Sequence, residues 1–322
     1  MTPGRSCPLH YRYRPSVFAR DADLVAETIY VIGGLYGNLP ALTAIIALAA
    51  KEVAPPTLVF NGDFHWFDTD PHTFAAINTA VLSHTALRGN VETELPIDAE
   101  GADGTGCGCA YPDYVDDADV ARSNEIMRAL RQTAAQFPDL TARLSALPMH
   151  LVAQVGEQRI GIVHGDAESL AGWRFAHDSL HDADNVAWLM DVCAKANLLG
   201  FASSHTCLPT FRQFASGGEK KFVINNGAAG MPNFGGTHYG LISRLSCHAA
   251  PDGWSQYGRQ FGPTFVDAIP VHYDQAAFKT RFLADWPTDS PAHRSYFERI
   301  TDGPAYAAPH ALGLLRAPSV CA

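Results

Sequence analysis

Two textures of apolar patterning divide this chain. Early on, short continuous runs of branched residues end at glycine and are followed by longer helix-forming stretches. Thr28-Ile-Tyr-Val-Ile32 closes at Gly33-Gly34 and Leu39 to Ala50 follows, which predicts a buried strand, a glycine turn and a helix. Thr57-Leu-Val-Phe60 repeats the plan: it ends at Asn61-Gly62-Asp63, and a helix is expected after Asp70-Pro71, with proline at a helix-start position. A third helix is expected from near Asp119 toward Gln136, broken at Pro138. Beyond it the apolar runs shorten. His150–Val155, Arg159–Val163, Leu198–Ala202, Phe222–Asn225 and Tyr239–Ser243 read as strands, interrupted by one helix around Asp184 to Ala196. The tail from Tyr273 reads as helical, with breaks at Pro287 and Pro291. Strands alternating with helices define the α/β class with a parallel or mixed sheet. No repeat or low-complexity linker marks a boundary, so residues 1–322 are expected to form one domain with a helical tail over about 273–322.

Composition narrows the function classes. The 322 residues carry 23 Lys+Arg against 33 Asp+Glu, a net charge of −10, and 47% of them are hydrophobic, which excludes wholesale disorder. The acidic balance disfavours nonspecific binding to nucleic acid or to an anionic membrane surface. The longest apolar stretch, Leu39 to Ala50, is far short of the ~20 residues that cross a bilayer. The start, MTPGRSCPLH, does not read as a secretory signal, and seven cysteines, an odd number, suit a reducing compartment; cytoplasmic residence is the expectation. From Gly89 through Ala121 there are nine acidic residues and no Lys or Arg, with glycines clustered at Gly101–Gly108. Its middle, about 96–118, reads as an inserted acidic loop, expected to be a mobile lid rather than core.

Ligand-capable side chains recur just after the apolar runs, where α/β proteins place their sites. These are Gly62-Asp63-Phe64-His65, Gly89-Asn90-Val91-Glu92, Val163-His164-Gly165-Asp166 and Ser204-His205-Thr206-Cys207. One Asp, one Asn and two His offer carboxylate, amide and imidazole donors, a set suited to a borderline divalent metal.

In that order, Gly-Asp, Gly-Asn, His-Gly and a Gly-His-x-His-like element, the motifs resemble the calcineurin-like metallophosphoesterases. The resemblance runs from about Tyr30 to Phe234; Asn225–Pro232 is similar to the family's turn after its last motif, and the tail from Val271-His-Tyr-Asp274 to that of small bacterial members. It implies two facing mixed β-sheets flanked by helices and a metal pair bridged by Asp63, with Asn90, His164 and His205 completing one of the two sites. The other site departs from the pattern. Where the family opens with Asp-x-His, this chain has Gly34 and Tyr36, and the family's final His is Cys207. Either the site has decayed to one metal or none, or it is rebuilt from Asp63, His65, Cys207 and Tyr36. In the rebuilt reading an extended chain at Asp63 sends His65 to the same side, and a cation lowers the phenol and thiol pKa values. One or two transition-metal ions, zinc, iron or manganese, are therefore expected. The family's proton-donating His after the motif Asn is Val91 here, and His65 is the expected substitute.

The sequence thus points to a metal-dependent phosphoric ester hydrolase acting on a small phosphoester. Its rivals are a noncatalytic metal-binding or scaffold protein on the same fold, and an enzyme whose thiolate-containing site does other chemistry. Secondary features carry less. Cys107-Gly-Cys109 is a weak ligand or redox signal; His177 and His181 read as a solvated helix face; Gly227–Gly230 reads as turn glycines; Arg88 could face a phosphate or pair with a nearby acid.

Overall fold

The computed structural model describes residues 3–96 and 105–316. In chain order the strands are β1 (Leu24–Ala26), β2 (Thr28–Ile32), β3 (Thr57–Asn61), β4 (Thr85–Leu87), β5 (His150–Val155), β6 (Gln158–Val163) and β7 (Gly200–Ser203). They continue with β8 (Thr210–Ser216), β9 (Glu219–Asn225), β10 (Tyr239–Ser246), β11 (Tyr257–Phe261) and β12 (Thr264–His272). Two six-stranded sheets result, ordered β1-β5-β6-β7-β9-β8 and β11-β12-β10-β2-β3-β4. Both are mixed: β2, β3 and β4 run parallel, as do β6, β7 and β9, while β10 pairs antiparallel with β2 and β12, and β8 with β9.

Period-two side-chain alternation builds the layers. Ile29, Val31, Val59 and Leu87 of one sheet bury against Ala153, Ile160, Ile162, Ala202 and Ile224 of the other. The intervening residues Tyr30, Ile32, Leu58 and Phe60 face outward and are covered by helices, as are Val152, Val163, Phe201 and Val223 on the far side. The chain is therefore a four-layer α/β sandwich. Its helices are α1 (Leu39–Ala49), α2 (Pro71–Val81), α3 (Asn90–Glu94), α4 (Asp117–Ala134), α5 (Pro138–Ser145), α6 (Ala183–Ala196), α7 (Gln275–Asp285), α8 (Pro291–Asp302) and α9 (Ala308–Ala311). Asn38, Asp70, Asp116, Asp182, Asp274 and Ser290 each cap a following helix through the side chain. No helix among the described residues is long and apolar enough to cross a membrane.

Several strands went unread in the sequence. β12 contains Pro270, which argues against a sheet interior. The structure reconciles it: Pro270 pairs with Leu241 of β10, while β11 reaches only as far as Ala268, leaving that side of Pro270 at an edge. The acidic insertion also needs correction. Residues 97–104 lie outside those described, but Thr105, Cys107, Cys109 and Val115 are buried, so this part of the loop is core and not lid. Two side chains of α4 hold it there: Asn124 accepts from the Cys107 N–H at 2.9 Å, and Arg131 donates to the Gly106 carbonyl at 3.1 Å.

Candidate metal centre

The carboxyl ends of β3, β4, β6 and β7 meet at one edge of the sandwich, and the next residues turn inward. Asn61, the last of β3, spans the two sheets: its side chain donates to the Val163 carbonyl at 2.7 Å, and its own carbonyl receives His164 Nδ1 at 2.9 Å. The carbonyl of His164 in turn accepts from the N–H groups of Ser204 and His205. Backbone contacts of this kind lock three loops together.

Asp63, His164 and His205 are buried, and their donor atoms lie within 4.8 Å of one another. His164 Nε2 stands 3.3 Å from Asp63 Oδ2, 3.2 Å from Asn90 Oδ1 and 3.2 Å from His205 Nδ1. Each donor is oriented from behind. Val91 N–H donates to Asp63 Oδ1 at 3.2 Å, and the Asn90 amide donates to the Cys107 carbonyl at 3.0 Å, which turns its oxygen inward. The far nitrogen of each imidazole donates to a carbonyl: His164 Nδ1 to Asn61, and His205 Nε2 to Cys109 at 3.0 Å. Both near nitrogens are thereby left as lone pairs facing one another and two oxygens. Converging donors of this kind suit a shared cation, so these four residues fit a divalent metal. Burial lowers the His164 pKa, but Asp63 outweighs it and holds it above its ordinary value, so the cluster attracts positive charge. Burial raises the Asp63 pKa, but His164 and His205 outweigh it and hold the carboxyl below its ordinary value. Burial and the neighbouring His164 push His205 down to about 3, leaving it neutral as a ligand must be.

The structure therefore brings Asp63, Asn90, His164 and His205 together, and it sends His65 elsewhere. Asp63 has a φ of 50°, so the chain is not extended there and the period-two expectation for His65 fails. His65 Nδ1 lies 2.6 Å from Asp68 Oδ2, and its ring stacks on Phe74 at 4.2 Å. Burial lowers its pKa, but Asp68 carries it back above the ordinary histidine value. His65 supports the turn and does not line the cavity in front of Asp63.

Tyr36 and Cys207 do line that cavity, and they bond to each other, hydroxyl to sulfur, at 2.9 Å. Burial raises both pKa values, Tyr36 well above that of an ordinary phenol. A side chain on Gly34 would meet the Tyr36 ring at 2.9 Å, and Gly34 itself has a φ of +64°. The ring thus fills the volume next to position 34. Three of the six non-glycine residues with positive φ among the described residues, Tyr36, Asp63 and Cys207, surround this cavity, a concentration of backbone strain typical of functional sites.

Two further residues contribute beyond the four donors. Glu92, fully buried, accepts the N–H groups of Asp63 (2.8 Å), Gly89 (2.9 Å), Phe64 (3.0 Å) and His65 (3.4 Å). Its spacing carried the signal, because a Glu three residues after the helix-capping Gly89 is half of a capping box. Cys109 bears on the cluster through both backbone and side chain: its carbonyl accepts from His205 and, at 3.1 Å, Trp173, and its sulfur accepts from the Asn90 amide at 3.6 Å. The Cys107-Gly-Cys109 spacing is the weak signal for it. The minor candidates fall away. Arg88 donates to the Ser145 carbonyl and pairs with no acid among the described residues. His177 and His181 share no helix face: His181 belongs to a single 3₁₀ turn and meets Arg212, while His177 is buried beside Tyr306. Ala229 and Gly230 donate to the carbonyls of Gly33 and Gly34, a turn docked on a turn.

No family model matches the chain, and no curated protein matches it either. Solved structures do. A metallophosphoesterase from Sphaerobacter thermophilus superposes with a TM-score of 0.51 at 16% identity, over 80% of this chain and 93% of that one. A hypothetical protein from Pyrococcus horikoshii does so with a TM-score of 0.57 at 15% identity, over 87% of this chain and 99% of the other. The chain has the fold of the metallophosphoesterases.

Proposed function

We propose, from the premise of a metallophosphoesterase fold, that this protein is a phosphoric ester hydrolase working with a single transition-metal ion, zinc, iron or manganese, held by Asp63, Asn90, His164 and His205. The observation that carries the reading is the convergence of four preoriented donors, each tied behind to backbone. When bound there, a divalent cation supplies Lewis acidity toward a phosphoryl oxygen and toward an attacking water. The chain does the remaining work. Glu92 fixes the turn that presents Asp63, and the Asn61 and Cys109 carbonyls hold the two imidazoles in the ligating tautomer. The Tyr36–Cys207 pair, with Trp173 against His205 at 5.4 Å, walls the site and limits its water. The two members bond to each other and the Tyr36 ring fills the space beside Gly34, which supports one metal and not two. A small phosphoester is the substrate we assign. The free thiols of Cys7, Cys107, Cys109, Cys193, Cys207 and Cys247 support cytoplasmic residence.

The filled volume beside Gly34 also favours a second reading, a noncatalytic metal-binding protein on the same fold. Metal analysis of protein purified without chelators, paired with a phosphoester screen, separates the two. One metal per chain, lost in His164→Ala and His205→Ala together with hydrolysis, is the expected result. Metal without turnover on any ester supports the second reading, and wild-type metal content in both variants refutes the site.

A further inference from the structure

In front of Asp63 the cavity is walled chiefly by rings. Trp66 and Tyr296 are buried in it, Tyr36 forms part of its inner wall, and Tyr111 and Trp173 stand half-buried with ring centroids 6.1 Å apart. Tyr114, 49% exposed, lies at the mouth. Among the described lining residues there is no Lys or Arg, and Asp63 is the one carboxylate. Val91 lines the wall with an isopropyl group beside Asn90. The ring wall reaches the donor cluster itself, since Trp173 meets the His205 ring edge-on.

We propose that this cavity is a subsite for an aromatic ring, and that the substrate is an aryl-bearing phosphodiester; the proposal rests on the phosphoester reading above. Tyrosine and tryptophan walls present large, stiff faces and edges that suit a planar ring and lose little conformational entropy on binding. Charge selects the diester. A divalent cation with Arg299, buried behind Cys207, less the charges of Asp63 and Glu92 leaves one positive charge, which a phosphodiester monoanion neutralises. A monoester dianion brings a second negative charge into a buried cavity whose described lining offers no Lys or Arg to receive it. Leaving-group chemistry points the same way. An aryl oxygen departs as a phenolate whose acid has a pKa of about 10, so it needs proton assistance least, and Val91 has no proton to give.

The test uses the full chain loaded with manganese. Calorimetric titration with methyl phenylphosphonate and with methyl methylphosphonate, equal in charge, should show the phenyl compound binding at least tenfold tighter. Tyr114→Ala and Tyr111→Ala should each shrink that difference about fivefold, read as the ratio of the two affinities within each variant. Among substrates, bis(4-nitrophenyl) phosphate should exceed 4-nitrophenyl phosphate in kcat/KM by at least tenfold. Equal affinity for the two phosphonates, or a monoester turned over faster than the diester, overturns the proposal. A phenyl preference in a protein that hydrolyses no ester keeps the ring subsite and refutes the hydrolase reading. Hydrolysis without any phenyl preference does the reverse. Tyr114 is half exposed at the mouth, so its variant keeps the test decisive if Tyr111→Ala fails to fold.

Discussion

Glutamine in place of Glu92 is the sharpest perturbation of the centre that leaves every donor in place. The carboxylate accepts four backbone N–H groups, two at each oxygen, and is sealed from water. An amide keeps one of those oxygens and turns an NH₂ group toward the other two N–H groups. Two buried donors are left unpaired, at about 1–3 kcal/mol each, so the expected loss of stability is ~2–6 kcal/mol, nearer the lower figure if the turn relaxes. Metal affinity should fall as well. Asp63 sits at a φ of 50°, a conformation it holds only while the N–H groups around it are clamped, and loss of such support costs about 10–100-fold in affinity. Urea unfolding of the metal-free protein reads the first quantity, and competition with a fluorescent chelator reads the second. Glu92→Asp, which keeps the charge on a shorter stem, should fall between wild type and Glu92→Gln in both. A Glu92→Gln protein within about 0.5 kcal/mol of wild type, with unchanged metal affinity, would refute the claim that this carboxylate organises the Asp63 turn.

Position 34 offers a gain-of-ligand test. Gly34→Asp alone should destabilise the protein, because its Cβ meets the Tyr36 ring at 2.9 Å and its φ is +64°, whereas Gly34→Asp with Tyr36→His should raise metal content from one toward two per chain; an unchanged count in the double variant rejects the idea that the ring displaces a second ion. For pH dependence, burial raises the pKa of Glu52, but its bonds to Arg244 and Tyr30 outweigh it and leave the carboxyl below its ordinary value. A depressed carboxyl contributes stability that is complete above its unfolded value of about 4.3 and is lost as pH falls through the folded value; a Glu52→Gln protein should therefore lose stability less steeply below pH 5, which acid titration of the unfolding midpoint checks. Burial pushes the Cys193 thiol up to about 12, so a maleimide at pH 7.5 should label Cys7 and Cys247 long before Cys193, as peptide mass mapping would show.

How much of this was readable from residue types alone differs between the scaffold and the centre. Runs such as Thr28–Ile32 and Thr57–Asn61 are strands because branched residues fill both faces of a covered sheet, and their terminal glycines announce where the chain turns inward. Asp63, Asn90, His164 and His205 stood out for the same reason, each coming just after a strand end. What resisted reading depends on backbone conformation. The left-handed φ at Asp63 rotates His65 out of the site, and no residue type encodes that turn; it is imposed by Glu92, 29 positions later. Glycine-rich acidic sequence normally means solvent, yet Gly106 and Cys107 are tied to the core by Arg131 and Asn124, polar side chains on a helix whose amphipathic pattern gave no hint of a partner. Strand β8 and the β11–β12 hairpin escaped because Arg212, Gln213, Arg259 and Gln260 dilute the apolar signal that marks covered strands.

The carbonyls of Cys107 and Cys109 set the donor orientation of Asn90 and His205, and the same short stretch of chain bears Tyr111 and Tyr114. Ordering of that stretch and occupancy of the centre are therefore thermodynamically reciprocal: whatever factor the cation adds to the stability of residues 107–111, those residues add to the affinity for the cation. Amide hydrogen exchange at Cys109 and Tyr111 should slow on loading by that factor, so the organic half of a ligand meets walls that the inorganic half has already stiffened.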